Sequence, residues 1–128
     1  MPLAVQVTAG QVHESTRLES VMSAVRIGRR TRPACVAADK GYQCQRILKW
    51  LKGRGIRAVI PTKSNQPRVQ GFDKKTYKQR HVIECCVGWL KECRRIGTRF
   101  EKLAINFLAM TQLAIIQRYL KIAFSDRT

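Results

Sequence analysis

The sequence predicts an α/β protein in which short parallel strands alternate with helices. Three segments, "PLAVQVTAG", "ACVAA" and "IRAVIP", are short and apolar, and each ends at a Gly, Asp or Pro, as strands commonly do. Segments whose apolar residues recur at helical spacing separate them. Strands that alternate with helices favour a layered architecture with a parallel sheet. A chain of 128 residues, 45% of them hydrophobic, is long enough for one domain with a core.

In the first half of the chain, the elements follow in a regular order. The segment "PLAVQVTAG" alternates and is β-branched, which predicts a strand followed by a turn. The segment "RLESVMSAVR" places its apolar residues on one helical face. The run "ACVAA" predicts a buried strand that ends at Asp39, and "YQCQRILKWLKGRG" predicts a helix with Ile47 and Leu51 directed inward.

The second half begins with the strand "IRAVIP" and a polar, basic loop, "TKSNQPRVQGFDKK". A long helix is predicted over residues 75–97 and a last helix from about Glu101 to Phe124. We expect this last helix to be buried, because polar residues interrupt its apolar runs before they reach the length of a membrane span.

The charge balance indicates an anionic partner. The chain carries 25 Lys and Arg against 8 Asp and Glu, a formal net charge of +17. Such an excess repels itself in the compact state unless it is neutralised, and nucleic acid is the leading candidate because phosphate binding releases counterions. RNA and an anionic membrane surface stay open. The five cysteines form no CxxC motif, which is typical of free thiols in a reducing, cytoplasmic setting.

Asp39 raises the first question about function. It follows a predicted buried strand, and functional groups in open α/β sheets gather beyond the carboxyl ends of parallel strands. The alternative is that Asp39 only caps the helix that follows. The stretch itself does not decide between these two roles.

A line of polar side chains on the predicted long helix raises the second question. At about 100° per residue, Tyr77, Arg80, Glu84 and Lys91 fall within an arc of roughly 60°. A neighbouring arc is apolar and is predicted to face the core; it contains Val82, Ile83, Val87 and Leu90. A solvated charged stripe with i,i+4 pairs would look the same.

A chemical interpretation is that Glu84, from this line of side chains, acts together with Asp39. Two ionised carboxylates, Asp39 and Glu84, would suit Mg²⁺ or Mn²⁺, which prefer hard oxygen ligands and complete their shell from water and phosphate. Arg80 and Lys91 would then hold the flanking phosphates, Arg with its planar fork and Lys as a point charge.

Three stretches, "ADKGY", "GIRAVIPTKSN" and "YKQRHVIECCVGWLKECRRIGTRFEKLAINFLA", resemble the C-terminal part of bacterial insertion-sequence transposases of the DDE class. The insertion-sequence family numbered five is the nearest match, with family four behind it. These enzymes carry a helix with Tyr, two residues, Arg, three residues, Glu, six residues and Lys. Tyr77, Arg80, Glu84 and Lys91 match that spacing in full.

The resemblance implies a ribonuclease-H-like fold, here a truncated mixed sheet with flanking helices that ends in two long helices. It also implies three acids that bind two Mg²⁺ (or Mn²⁺) ions for DNA cleavage and strand transfer. By position, Asp39 resembles the second acid and Glu84 the third. The resemblance implies that Tyr77, Arg80 and Lys91 bind DNA. Lys63 and Arg68 are further candidates, because both are positively charged and lie in the loop before the long helix.

The sequence departs from the family at the first acid, which belongs on a strand before "PLAVQVTAG". Before Asp39 the chain holds only Glu14 and Glu19, at or within the first predicted helix. We therefore expect residues 1–128 to be the C-terminal part of a catalytic domain, inactive alone. Its expected partners are transposon-end DNA and the N-terminal part of a transposase or a second transposase chain, in the bacterial cytoplasm at the nucleoid and without a membrane.

Three alternatives remain. The chain would also suit a non-catalytic basic DNA-binding regulator of a full-length transposase. A small RNA-associated ribosomal protein fits the composition, although RNA binding gives no reason for a lone acid in the basic line of the long helix. A cationic membrane-surface protein would need a basic amphipathic helix.

Overall fold

A computed structural model describes residues 1–30 and 32–125. The chain divides into two compact units. The sheet unit comprises residues 11–82, and the helical unit comprises residues 1–10 together with residues from 83 onward.

The sheet unit contains a βαβ arrangement. Strand β1 (Cys35–Ala37) pairs in parallel with β2 (Arg57–Val59), with Val36 opposite Ala58, and helix α2 (Gln45–Gly53) connects them. This confirms the predicted α/β class and the parallel pairing. In the described residues the sheet has these two strands alone, so the predicted mixed sheet is not observed.

Helix α2 covers the sheet through an apolar face. Ile47 and Leu51, one turn apart, are fully buried. After the helix, Gly55 takes a left-handed conformation at φ +66°, and the Ile56 amide donates to the Leu51 carbonyl at 2.9 Å. This C-terminal motif satisfies a late carbonyl of the helix and turns the chain directly into β2.

The core of the sheet unit is small. Ile47, Leu51, Ile56 and Ile60 form it together with Leu18 of helix α1 (Leu18–Ala24). Each fully buried side chain of this kind contributes about 1.5–3 kcal/mol relative to exposure. With so few buried residues, each one matters for stability.

The predicted first strand is wrong. Residues 2–10 are irregular and belong to the helical unit, where the Tyr119 hydroxyl donates to the Pro2 carbonyl at 2.8 Å. A strand requires a neighbour with which to share a hydrogen-bond ladder. Within the described ranges no strand pairs with this segment, so alternation without a partner leaves it irregular.

The predicted long helix is interrupted twice. It is observed as α3 (Lys74–Lys78), α4 (His81–Glu92) and α5 (Arg94–Gly97). At the first interruption the amides of residues 79, 80 and 82 donate three residues back, as in a 3₁₀ turn. At the second, Gly97 lies so close to Lys91 that a Cβ at this position would clash with the Lys91 carbonyl oxygen, and only glycine permits this approach. Neither Pro nor Gly marks the first interruption in the sequence.

The last helix, α6 (Ala104–Ser125), has the predicted extent but not the predicted burial. Thr111 is its one buried residue among those described, and Ile105 is 74% exposed. In α4, Val82, Ile83 and Val87 are also exposed, although that arc was predicted to face the core. Both predictions were wrong for one reason: periodicity identifies an apolar face but not what covers it.

The small core makes α2 a sensitive test of the fold. We expect Leu51→Ala to lower the free energy of unfolding of the sheet unit by about 2–5 kcal/mol, because the surroundings only partly close the cavity. Lys49→Ala, on the exposed side of the same helix, should stay within about 0.5 kcal/mol of wild type. Urea denaturation followed by circular dichroism measures both, and equal effects of the two variants would contradict the assigned core.

Candidate functional site

The carboxyl edge of the sheet brings several predicted residues to one side of the sheet unit. Asp39 follows β1 by two residues, and the loop that carries Lys63 and Arg68 follows β2. Because the two strands are parallel, their carboxyl ends lie at the same edge. Asp39, Lys63 and Arg68 are all exposed there.

The Asp39 side chain caps the turn that follows it. Its Oδ1 accepts a hydrogen bond from the Gly41 amide at 2.8 Å and so caps the 3₁₀ turn Lys40–Tyr42. A Cβ on residue 41 would lie 2.9 Å from this oxygen, so a larger residue there would require the capping carboxylate to shift. Asp39 therefore caps this 3₁₀ turn and not the helix that the capping alternative named, because α2 begins separately, with Cys44 at its N-cap. Capping uses one carboxylate oxygen and leaves Asp39 accessible to solvent.

A second acid, Glu14, influences Tyr42 at the end of the same turn. The pKa of Tyr42 is raised above its usual value, first by burial and then by the negative charges of Glu14 and Asp39. Glu14 lies at the start of the 3₁₀ turn Glu14–Arg17. Glu14 and Asp39 lie far apart in the sequence, so the sequence did not indicate that both charges act on the Tyr42 hydroxyl.

Tyr77 is positioned through Asp73, which sequence reasoning missed. Asp73 caps α3 by accepting from the Thr76 amide at 2.9 Å and from the Thr76 hydroxyl at 2.6 Å, and it also accepts from Arg57 Nη1 of β2 at 2.9 Å. These hydrogen bonds hold the pKa of the Asp73 carboxyl far below its usual range. Those from Thr76 have the largest effect, and that from Arg57 follows. A strand is thereby connected to the helix that carries Tyr77. An Asp three residues before a Thr was the available signal in the sequence.

The structure brings Tyr77 and Arg80 together. The Arg80 guanidinium carbon lies 5.6 Å from the centroid of the Tyr77 ring, within the range of a cation–π contact. Phe72 packs edge-on against the same ring, with the centroids 5.5 Å apart. Next to this pair, Arg68 and Lys74 line a concave surface with Phe72.

Glu84 and Lys91 lie in the helical unit, on α4. They are seven residues apart, which places them within about 20° of each other on the helix, and both are exposed. Tyr77 lies on α3 and Arg80 in the turn between the helices. The prediction that all four residues share one face of a single helix is therefore wrong, although it holds for Glu84 with Lys91.

An arginine cluster at the opposite edge of the sheet is a further candidate. Arg29, Arg30 and Arg32 line a concave surface with Gly55, just before the amino ends of β1 and β2. A backbone bridge between Ile27 and Arg30 closes the turn that presents them. The run "IGRRTRP" signalled a basic loop but not its position at the sheet edge.

The described residues do not form a complete metal site. In the part of the chain that the structure describes, no group of three or more His, Cys, Asp or Glu residues could hold a metal ion. Glu19, one of the two acids before Asp39, is instead paired with Arg46 of α2.

None of the helices within the described ranges combines the length and apolarity that a membrane crossing requires.

Comparisons with known proteins place the chain among transposases. A family model described as the transposase DDE domain matches residues 36–121, more than half of the chain and including Asp39 and Glu84. The chain is 30% identical over 126 residues to the "Putative transposase for insertion sequence element IS6501" of Brucella ovis; the match covers 94% of this chain and 90% of that protein.

A second relative is longer. The chain is 34% identical over 109 residues to the "Putative transposase for insertion sequence element IS402" of Burkholderia cepacia, a match that covers 80% of this chain. It covers 49% of that protein, so the matched region spans about half of its length. No solved structure matches the chain significantly.

The Asp73 cap predicts a specific response to acid. Because the pKa of Asp73 is lowered in the folded state, its stabilising contribution is complete above the unfolded value near 4 and is lost as the pH falls further. We expect the wild-type urea midpoint to exceed that of Asp73→Asn at pH 7, and this difference to shrink steadily below pH 4. Thr76→Ser keeps the hydroxyl donor and should keep the pH dependence. A difference that does not change with pH would contradict the assigned role.

Proposed function

This chain belongs to the transposase DDE domain family, and from that premise we propose that it forms part of the catalytic domain of an insertion-sequence transposase. Membership of the family supports a function in transposition. The proposed domain has a ribonuclease-H-like fold, of which β1, α2 and β2 represent one parallel portion. The observation that carries the proposal is Asp39 beyond the end of a parallel strand, inside the segment that matches the family.

We propose Asp39 and Glu84 as two of the carboxylates of the active site. Their hard oxygen atoms suit the divalent metal that the family implies, with Mg²⁺ or Mn²⁺ as the specific ions. The described residues do not fit a complete two-ion site, because no third acid joins either carboxylate. In this proposal the remaining acid comes from the N-terminal part of a transposase or from another chain, and residues 1–128 alone cut no DNA.

DNA is the proposed partner, bound mainly through its phosphates. The net charge of +17 supports this, since each neutralised phosphate releases counterions. At the carboxyl edge, Lys63 and Arg68 are the proposed phosphate contacts. The Tyr77–Arg80 pair offers an aromatic face beside a guanidinium, a combination suited to an unpaired transposon end. Lys91 on α4 is proposed as a contact to the same DNA.

A second candidate function follows from the incomplete set of acids. A chain that binds transposon DNA without cutting it could act as a regulator of a complete transposase. The observation that favours this candidate is the lack of a metal-holding cluster among residues 1–30 and 32–125. The arginine cluster, Arg29, Arg30 and Arg32, would serve DNA binding in either case.

Salt dependence tests the proposed phosphate contacts. Replacing both Lys63 and Arg68 by Ala should reduce the slope of log binding constant against log salt by about 2, because about 0.9 is lost for each phosphate contact on duplex DNA. The matched control removes two exposed charges from α2, as Lys49→Ala with Lys52→Ala. Fluorescence anisotropy with a labelled duplex measures both. An equal loss in the control would show that binding follows overall charge and not the carboxyl edge.

Carboxylate removal separates catalysis from binding. We expect the purified chain not to nick supercoiled DNA in Mg²⁺, and we expect Asp39→Asn and Glu84→Gln to bind DNA as well as wild type or slightly better, since negative charge is removed near phosphates. A plasmid nicking assay beside the anisotropy titration checks this. Nicking by wild type that both variants abolish would mean that the chain has a complete site, which would overturn the incomplete-site proposal.

A further inference from the structure

A short basic turn in the helical unit exposes an aromatic ring. This basic turn, residues 94–102, comprises α5 and the segment that leads toward α6. Phe100 lies within it and is 62% exposed. Arg94, Arg95 and Thr98 line a concave surface together with the ring. None of these residues belongs to the site proposed above.

The Phe100 ring is held in a fixed arrangement. The Arg95 guanidinium carbon lies 4.7 Å from the centroid of the ring, which is a cation–π contact. Arg95 Nη2 also donates to Glu101 Oε1 at 2.9 Å, and this half-buried carboxylate keeps the guanidinium on one face of the ring. Because the ring is still largely exposed, its other face is open to a ligand. A surface that is already ordered loses less entropy when it binds.

The backbone of the basic turn carries an unusual residue at position 99. The Arg99 amide donates to the Ile96 carbonyl at 3.1 Å. The Phe100 amide donates to the Arg95 carbonyl at 3.0 Å, which completes a Schellman motif at the end of α5. This motif places Arg99 in the left-handed region at φ +49°, whereas the other described residues with positive φ are all glycines. Arginine is strained there and glycine is not, so the presence of arginine suggests a use for its side chain.

The cations of the basic turn outnumber its acid. Arg94, Arg99 and Lys102 are exposed, and within residues 1–30 and 32–125 no ion pair neutralises them. Glu101, the one acid of the turn, is already engaged by Arg95. An open aromatic face beside cations suits a ligand that combines flat bases with phosphates. In a duplex the faces of the bases are covered by stacking, so only an unpaired strand offers both groups. An acidic peptide would give no reason for the exposed ring.

We propose that the basic turn binds single-stranded DNA, with one unpaired base stacked on the open face of Phe100. Arg94, Arg99 and Lys102 contact the phosphates that flank this base. The site uses none of the residues of the carboxyl edge. It rests on the proposed function, because it specifies the form of DNA that one part of the chain binds.

Removal of the ring tests the stacking contact. Fluorescence anisotropy with a labelled oligothymidine should show that Phe100→Leu binds about tenfold more weakly than wild type, because the base loses its aromatic partner. Phe100→Tyr keeps the ring and should bind like wild type. Phe124→Leu is the matched control, since it removes a ring of α6 that is 61% exposed and lies outside the concave surface. A labelled duplex should bind Phe100→Leu and wild type equally.

Arg99 provides a second test, which separates binding from folding. Arg99→Gly removes the cation and relieves the strained backbone, so the urea midpoint should stay the same or rise. The slope of log binding constant against log salt for the single strand should nevertheless fall by about 0.7, the loss of one phosphate contact. Arg99→Lys should keep the wild-type slope. An unchanged slope in Arg99→Gly would contradict the phosphate contact.

Three results would overturn the proposal. They are no binding of the single strand by wild type, equal binding by Phe100→Leu, and a preference of wild type for single-stranded RNA over DNA. Duplex binding that depends on Lys63 and Arg68 persists in each of these cases, whereas failure of the proposed function removes that dependence itself. The two failures are therefore distinguishable. Circular dichroism verifies that the variants stay folded, and Arg99→Gly keeps the test valid if Phe100→Leu does not.

Discussion

The parallel pairing of β1 with β2 is the constraint on which the sheet unit depends. Two parallel strands cannot be joined by a tight turn, so the chain must cross over, and α2 is that crossover. Its buried residues, Ile47 and Leu51, contribute to the core, and the glycine turn after its C-terminus leads the chain directly into β2. The same pairing brings Asp39 and the Lys63 loop to one edge. Fold and candidate site are thus two results of one topology.

A polar link extends this arrangement beyond the sheet. Asp73 joins the start of α3 to Arg57 of β2 through charge-assisted hydrogen bonds. Tyr77 and Arg80 follow from that anchored helix as a contacting pair. A single half-buried carboxylate therefore connects strand β2 with the position of a candidate DNA contact. Such an arrangement differs from a general basic surface, in which no individual cation has a fixed neighbour.

The chain leaves much apolar surface uncovered for its size. Among the described residues, the core cluster of the sheet unit has five members, whereas α4 and α6 expose many large aliphatic side chains. A domain of this length normally buries more of its apolar surface. Contact with a further protein surface would explain why these exposed residues are apolar.

The sequence by itself determined the α/β class, the two strands that form, the extent of α6 and the family. Each of these depends on local periodicity or on residue spacing, as in "ADKGY" and the Tyr-Arg-Glu-Lys pattern, and both can be read from the chain alone. Tertiary structure decided the rest. Residues 2–10 alternate like a strand but lack a ladder partner. The interruption at Arg80 and the exposure of Val87 and Leu113 depend on which surfaces meet, and one chain's periodicity carries no information about its neighbours.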